Sequence, residues 1–133
     1  MNNTKKDMDN KLKKVARYIL KELETFKQDP EFFDEIKRTI QVKLWDKAKR
    51  KSFFTGKISK SALENGERVM EHWYGATRLA LDIMEMKDPT VDKIVYEWTT
   101  KLTWNYTTSE ENQVLKHNNQ DYSLISELVN YKK

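Results

Sequence analysis

The richest concentration of chemically useful side chains lies in residues 67–78, Glu-Arg-Val-Met-Glu-His-Trp-Tyr-Gly-Ala-Thr-Arg. The adjacent Glu71 and His72 could supply two ligands to a divalent cation, or one metal ligand beside a general base. On a continuous helix Arg78 would point away from His72, but a break at Gly75 would let its guanidinium reach a phosphate. The alternative interpretation is a partly buried histidine on a helix, flanked by core aromatics, with Glu71 in solvent.

A second polar group, Asn112 and His117, follows later in the chain. Thr108 and Glu111 have the spacing of a capping box, so a helix is predicted to begin at Thr107 or Thr108 and to include both residues. A separation of five residues does not place Asn112 and His117 on one helix face. The ordinary interpretation of Asn112 is a polar residue near a helix start.

Together these two groups resemble small phage-type endonucleases of the His-Asn-His class. The resemblance rests on Glu71-His72, on Arg78, and on Thr-Thr-Ser-Glu-Glu-Asn-Gln-Val-Leu at 107–115, and it covers only residues 67–117. It implies a magnesium-type divalent cation and DNA as the substrate. The roles that it implies are a general base for His72, metal ligands for Glu71 and His117, an orienting residue for Asn112 and a phosphate clamp for Arg78.

That family carries its residues on a ββα unit. In this chain the segment between His72 and Asn112 is predicted to be largely helical, and no second strand is predicted beside the first. The proline that usually follows the family's histidine is Trp73 here.

Other catalytic classes are excluded by composition and motif. The chain has two His and no Cys, which excludes disulfides, zinc–thiolate sites and cysteine nucleophiles. It also lacks a glycine-rich phosphate loop, the His-Glu-x-x-His zinc pattern and the Gly-x-Ser-x-Gly nucleophile motif.

Positive charge is concentrated in the first half of the chain. Residues 1–60 contain 17 Lys and Arg against 9 Asp and Glu, whereas residues 61–133 contain 8 against 12. Basic residues interleaved with aromatics are typical of a surface that holds a phosphate backbone. The alternative is that the lysines only solvate helix surfaces. The predicted nucleic-acid-binding residues are Lys43, Lys47, Lys49, Arg50, Lys51, Lys57 and Lys60.

Two further functions remain open at this point. One is a non-enzymatic helical interaction protein, such as a phage-type inhibitor or a DNA-binding regulator, which would need no metal. It would use a surface made of Trp45, Phe53, Phe54 and Trp73. The other is a helical structural or assembly protein that forms a homodimer through one of its apolar stripes.

Apolar spacing predicts a mainly α fold, a compact bundle of about five helices with at most one short strand or extended segment near 101–107. Only three Gly and two Pro are present, which favours helices over tightly turned sheets. The predicted helices cover about 7–27, 30–50, 60–86, 89–100, 108–117 and 121–131, and residues 51–61 are predicted to be a loop. Within 60–86 a break is predicted at Asn65-Gly66, and the longer helix after it begins at about 67 or at about 76.

The length of 133 residues predicts one domain, 1–133, with a basic helical hairpin at 7–50 and a helical part at 60–131. No apolar run reaches the roughly 20 residues that span a bilayer. The sequence therefore predicts a cytoplasmic protein of a bacterial or infected-host cell, without a membrane partner.

Overall fold

The computed structural model describes the backbone of residues 3–48 and 53–131, and the side chains of residues 8–47 and 53–131. These residues form six α-helices, namely α1 (Asn3–Gln28), α2 (Phe33–Ala48), α3 (Lys60–Asn65), α4 (Ala76–Met84), α5 (Val91–Lys101) and α6 (Ser109–His117). They also form four strands, β1 (Phe54–Ser59), β2 (Val69–His72), β3 (Trp104–Thr107) and β4 (Leu128–Asn130). Single turns of 3-10 helix lie at Pro30–Phe32 and Tyr122–Leu124.

The predicted mainly α bundle is wrong, because the four strands make one mixed sheet in the order β2-β3-β1-β4. The fold is therefore α/β. The pair β1–β3 is parallel, and the pairs β2–β3 and β1–β4 are antiparallel. Only β3 falls where an extended segment was predicted, near 101–107.

Three strands replace elements that were predicted otherwise. The predicted loop at 51–61 contains β1, in which Gly56 has a φ of +83° at an irregularity in the pairing with β3. The predicted helix at 60–86 contains β2, and the predicted helix at 121–131 contains β4. Both are short and pair with residues distant in sequence, and such tertiary pairing overrides local helical spacing.

The predicted helices at 7–27, 30–50, 89–100 and 108–117 are confirmed within a few residues, and so is the break at Asn65-Gly66. Gly66 adopts a left-handed φ of +73° directly after α3. Thr108 caps α6 and forms the full capping box with Glu111, as predicted. Thr90 caps α5 by accepting a hydrogen bond from the Lys93 amide.

The helices α1, α2, α4 and α5 enclose the main hydrophobic core, to which the sheet contributes Trp104. Trp98 of α5 is fully buried, and its indole N–H donates to the Leu44 carbonyl of α2 at 3.2 Å. The predicted stripes of α1 and α2 supply the buried residues Leu12, Ala16, Ile19, Leu23, Ile36, Ile40 and Leu44.

Strands β2 and β3 with helix α6 form a ββα arrangement. The two strands pair antiparallel from Val69–Thr107 to His72–Trp104, and α6 follows β3 after one residue and contacts β2. Helices α4 and α5 are inserted between the two strands, which explains the long helical segment between His72 and Asn112. None of the helices in the described part of the chain is both long and apolar enough to cross a membrane.

Candidate functional site

An open cleft of about 700 Å³ lies along the free edge of β2. Its walls come from α2, β2, the start of α4 and α6. It brings together three residues singled out in the sequence, Glu71, His72 and Asn112, although they come from two distant segments. The other residues that line it are Gln41, Val42, Trp45, Asp46, Met70, Gly75, Ala76, Lys116 and Gln120.

Glu71 is a buried carboxylic acid in a residue that lines this cleft. The residue is only 7% exposed, and its carboxyl group makes no hydrogen bond with the described residues. Burial raises the pKa of Glu71 to about 7, because the charged form is poorly solvated there. This carboxyl group can therefore bind a cation or exchange a proton near neutral pH.

His72 ends β2 and is 8% exposed. Its ring lies against Trp45 of α2, with the two ring centroids 4.6 Å apart and the planes tilted by 52°. The alternative sequence interpretation, a histidine on a helix with Glu71 in solvent, is wrong about the element and about Glu71, because His72 lies on a strand and Glu71 is buried. His72 also lines the cleft, but because successive residues of a strand point to opposite faces, its side chain leaves β2 on the face opposite to that of Glu71.

Asn112 lies in α6 and directly follows Glu111 of the capping box. Its side-chain Nδ2 donates to the Met70 carbonyl of β2 at 3.4 Å, so the amide is tied to the edge strand beside Glu71. The hydrogen bond uses the nitrogen end of the amide and leaves the oxygen Oδ1 available to a ligand.

Arg78 and His117 do not line the cleft. The guanidinium of Arg78, on the exposed side of α4, lies 4.7 Å from the centre of the Tyr74 ring. His117 is exposed in the last turn of α6, and its neighbour Lys116 lines the cleft instead.

The predicted nucleic-acid-binding lysines that the structure describes lie on three different elements, α2, β1 and α3. The Lys43 ammonium lies over the Tyr18 ring at 4.8 Å, Lys47 pairs with Asp46 at 3.1 Å, and Lys57 donates to Asn130 at 2.6 Å. Lys60 is exposed at the start of α3. Lys49, Arg50 and Lys51 lie outside the described residues.

Sequence reasoning missed two residues of the cleft. Lys116 is the only lysine or arginine among its described lining residues, and it lies four residues after Asn112 on the same face of α6. This spacing was readable from the sequence once Asn112 was suspected. Trp45 was predicted as part of a protein-interaction surface, yet this residue, 38% exposed, packs on His72.

A row of polar side chains crosses the sheet behind Glu71. Asn105 of β3 lies directly opposite Glu71 in the strand pairing. The Asn105 amide donates to the Tyr122 hydroxyl at 3.2 Å and accepts a hydrogen bond from the Thr55 hydroxyl at 2.5 Å. Burial, together with the nearby charge of Glu71, raises the pKa of Tyr122 to about 12.

Among the described residues no three His, Asp or Glu side chains converge as a ready-made metal site. Magnesium does not require such a cluster, because it keeps several waters and takes one or two carboxylates together with substrate phosphates. The carboxylate of Glu71 and the amide oxygen of Asn112 are hard oxygen donors that suit this ion. No family model matches the chain, and no curated protein or solved structure matches it significantly.

Proposed function

We propose that this protein is a metal-dependent endonuclease that hydrolyses DNA with His72 as its general base. The observation that carries the proposal is the presence of Glu71, His72 and Asn112 in one cleft, supported by a ββα arrangement. This arrangement resembles the ββα unit of the His-Asn-His class, with α4 and α5 inserted between its two strands.

His72 takes a proton from the attacking water. Its ring is held by Trp45, and its position at the end of β2 fixes the backbone from which the side chain enters the cleft. A base held in one orientation contributes typically ~100- to 10,000-fold to a rate.

Glu71 and Asn112 hold the divalent cation, Mg²⁺ or a similar ion. Glu71 is buried without a hydrogen-bond donor among the described residues, so a cation would supply the charge partner that it lacks. When bound, such an ion stabilises the negative charge that develops on a phosphodiester. This assignment gives Asn112 a ligand role and leaves His117, exposed in the last turn of α6, outside the site.

Lys116 is the cation that contacts the phosphate inside the cleft. It lies one turn beyond Asn112 and lines the same wall. The proposal assigns the protein to the cytoplasm of a bacterial or infected-host cell, and it leaves a homodimer as an option.

The non-enzymatic interaction protein has weaker support. Of the four aromatics expected on its surface, Trp45 and Trp73 are more than one-third exposed, but Phe53 is 1% exposed and Phe54 stacks on Trp104 at 4.6 Å. The predicted surface therefore does not exist as one patch.

Nicking of supercoiled plasmid DNA in the presence of Mg²⁺ or Mn²⁺ tests the proposal. We expect His72→Ala to reduce the nicking rate by ~100-fold or more, because the water loses its base. His117→Ala is the matched control and should leave the rate unchanged. Nicking by the wild type that survives in His72→Ala, or an absence of nicking with either metal, would contradict the proposed function.

A further inference from the structure

The segment between the cleft and α4 presents an exposed indole. Trp73 is 39% exposed and directly follows His72. Its N–H donates to the Thr103 hydroxyl at 2.7 Å, which fixes the plane of the ring relative to the two paired strands. An exposed aromatic ring held in one orientation can stack on a planar ligand with little loss of side-chain entropy.

Tyr74 supports this indole from behind. The two rings meet edge to face, with their centroids 5.5 Å apart. The Tyr74 hydroxyl donates to Asp82, and the ammonium of Lys101 lies 5.1 Å from the ring centre. Lys101 is neutralised by ion pairs with Glu97 at 2.7 Å and with Asp82 at 3.4 Å.

Arg78 differs from Lys101 because no described residue compensates its charge. Its guanidinium packs against the Tyr74 ring, but it makes no ion pair or hydrogen bond with the described residues. Its N–H donors are therefore available to an oxyanion, and a guanidinium matches the geometry of a phosphate.

We propose that Trp73 and Arg78 bind one unpaired nucleotide, with its base on the indole and its phosphate at the guanidinium. Residues 73 and 74 connect His72 to Gly75, and both of these line the cleft, so the bound nucleotide lies next to the candidate scissile phosphate. This inference rests on the proposed function for its substrate and narrows it to single-stranded or locally unpaired DNA. Bases within a continuous duplex are already stacked on one another and do not offer a face to a side chain.

Binding of a fluorescein-labelled oligonucleotide, measured by anisotropy in EDTA, tests this surface without requiring cleavage. We expect the wild type to bind the single strand more tightly than the same strand annealed to its complement. Trp73→Ala should weaken single-strand binding by about 10-fold, whereas Trp73→Phe, which keeps a stacking ring, should weaken it by about 2-fold. Arg78→Gln should weaken binding and lower the slope of log affinity against log salt by about 1.

Tyr96→Ala is the matched control, because Tyr96 is the most exposed aromatic among the described residues and lies on α5. Its affinity should equal that of the wild type. An unchanged affinity in both Trp73→Ala and Arg78→Gln, or equal binding of single strand and duplex, would overturn the inference. If Trp73→Ala fails to fold, Trp73→Phe and Arg78→Gln still decide.

The nicking assay separates this inference from the proposed function. If single-strand binding depends on Trp73 but no nicking is seen, the endonuclease proposal is contradicted and the nucleotide-binding surface is supported. If nicking depends on His72 but single-strand binding does not depend on Trp73 and Arg78, the endonuclease proposal is supported and the nucleotide-binding surface is contradicted.

Discussion

Glu71 and Glu111 are two carboxylates that the fold buries to almost the same extent, 7% and 8% exposed, with opposite consequences. Burial raises the pKa of Glu71 to about 7. Burial also acts to raise the pKa of Glu111, but hydrogen bonds from Ser126, Ser59 and Thr108 outweigh it, so that pKa lies below its ordinary value.

The partners of Glu111 come from three segments. Its two oxygens accept from the Ser59 hydroxyl at the end of β1, from the Thr108 amide before α6, and from both the amide and the hydroxyl of Ser126 before β4. The carboxylate therefore fastens the C-terminal strand and α6 to the sheet. Glu71 has no such donors among the described residues, so its carboxylate remains available for a ligand. Because the two carboxylates are equally buried, burial does not distinguish them. Their hydrogen bonds do, and they mark Glu111 as structural and Glu71 as a candidate ligand-binding group.

The largest expected effect on stability is that of Glu111→Ala. It removes the acceptor of four hydrogen bonds, and bonds to a charged group contribute most, so we expect a loss of about 3 kcal/mol in the free energy of unfolding. Urea unfolding with EDTA present measures it. Glu110→Ala, the exposed neighbour in the same helical turn, should cost less than about 1 kcal/mol.

The pH dependence of that loss has a defined sign. The folded pKa of Glu111 is below the ordinary 4.5, so the carboxylate stabilises the fold above pH 4.5 and loses this contribution as the pH falls through the folded value. The difference between wild type and Glu111→Ala should therefore shrink in acid. A difference that grows as the pH falls would contradict the structural role.

A smaller effect of opposite sign is expected for Glu71→Gln. The folded pKa of about 7 lies above the ordinary 4.5, so the wild type loses stability as the pH rises from 4.5 through 7. In EDTA at about pH 8, the variant should be more stable than the wild type by about 2 kcal/mol, and at about pH 5 the two should differ little. Unfolding measured at both pH values decides. A variant that is less stable at about pH 8 would show that Glu71 has hydrogen-bonding partners like those of Glu111.

Elements with strong local signals could be predicted from the sequence. The apolar stripes of α1 and α2 and the capping box of Thr108 and Glu111 are short-range patterns, and the structure confirms them. β1 and β4 pair with residues distant in the chain and contain few alternating positions, so their local pattern resembled a loop and a helix. The mixed sheet depends on this long-range pairing, which cannot be predicted from the sequence of either segment alone.

The candidate site was predictable in its residue types but not in its assembly. Glu71 and His72 stood out as adjacent ligand types, and Asn112 stood out at the start of its helix. Their meeting depends on the pairing of β2 with β3, and the sequence had indicated a helix at β2. Arg78 was expected inside the site, but the helix that begins at Ala76 carries it to the outer surface beside Tyr74.

The smallest expected effect is that of Tyr122→Phe. This substitution tests whether the polar row behind Glu71 influences the ionisation of Glu71. Asn105 loses its hydroxyl acceptor, so we expect a loss of about 1 kcal/mol in the free energy of unfolding. Because no hydrogen bond joins Tyr122 to Glu71 among the described residues, that loss should be equal at about pH 5 and about pH 8. Tyr96→Phe, on the exposed side of α5, should leave the free energy of unfolding unchanged at both pH values. A loss confined to the higher pH would mean that the Tyr122 hydroxyl stabilises ionised Glu71. Glu71 would then have a hydrogen-bond donor, as Glu111 does, and the two carboxylates would differ only in the number of their donors.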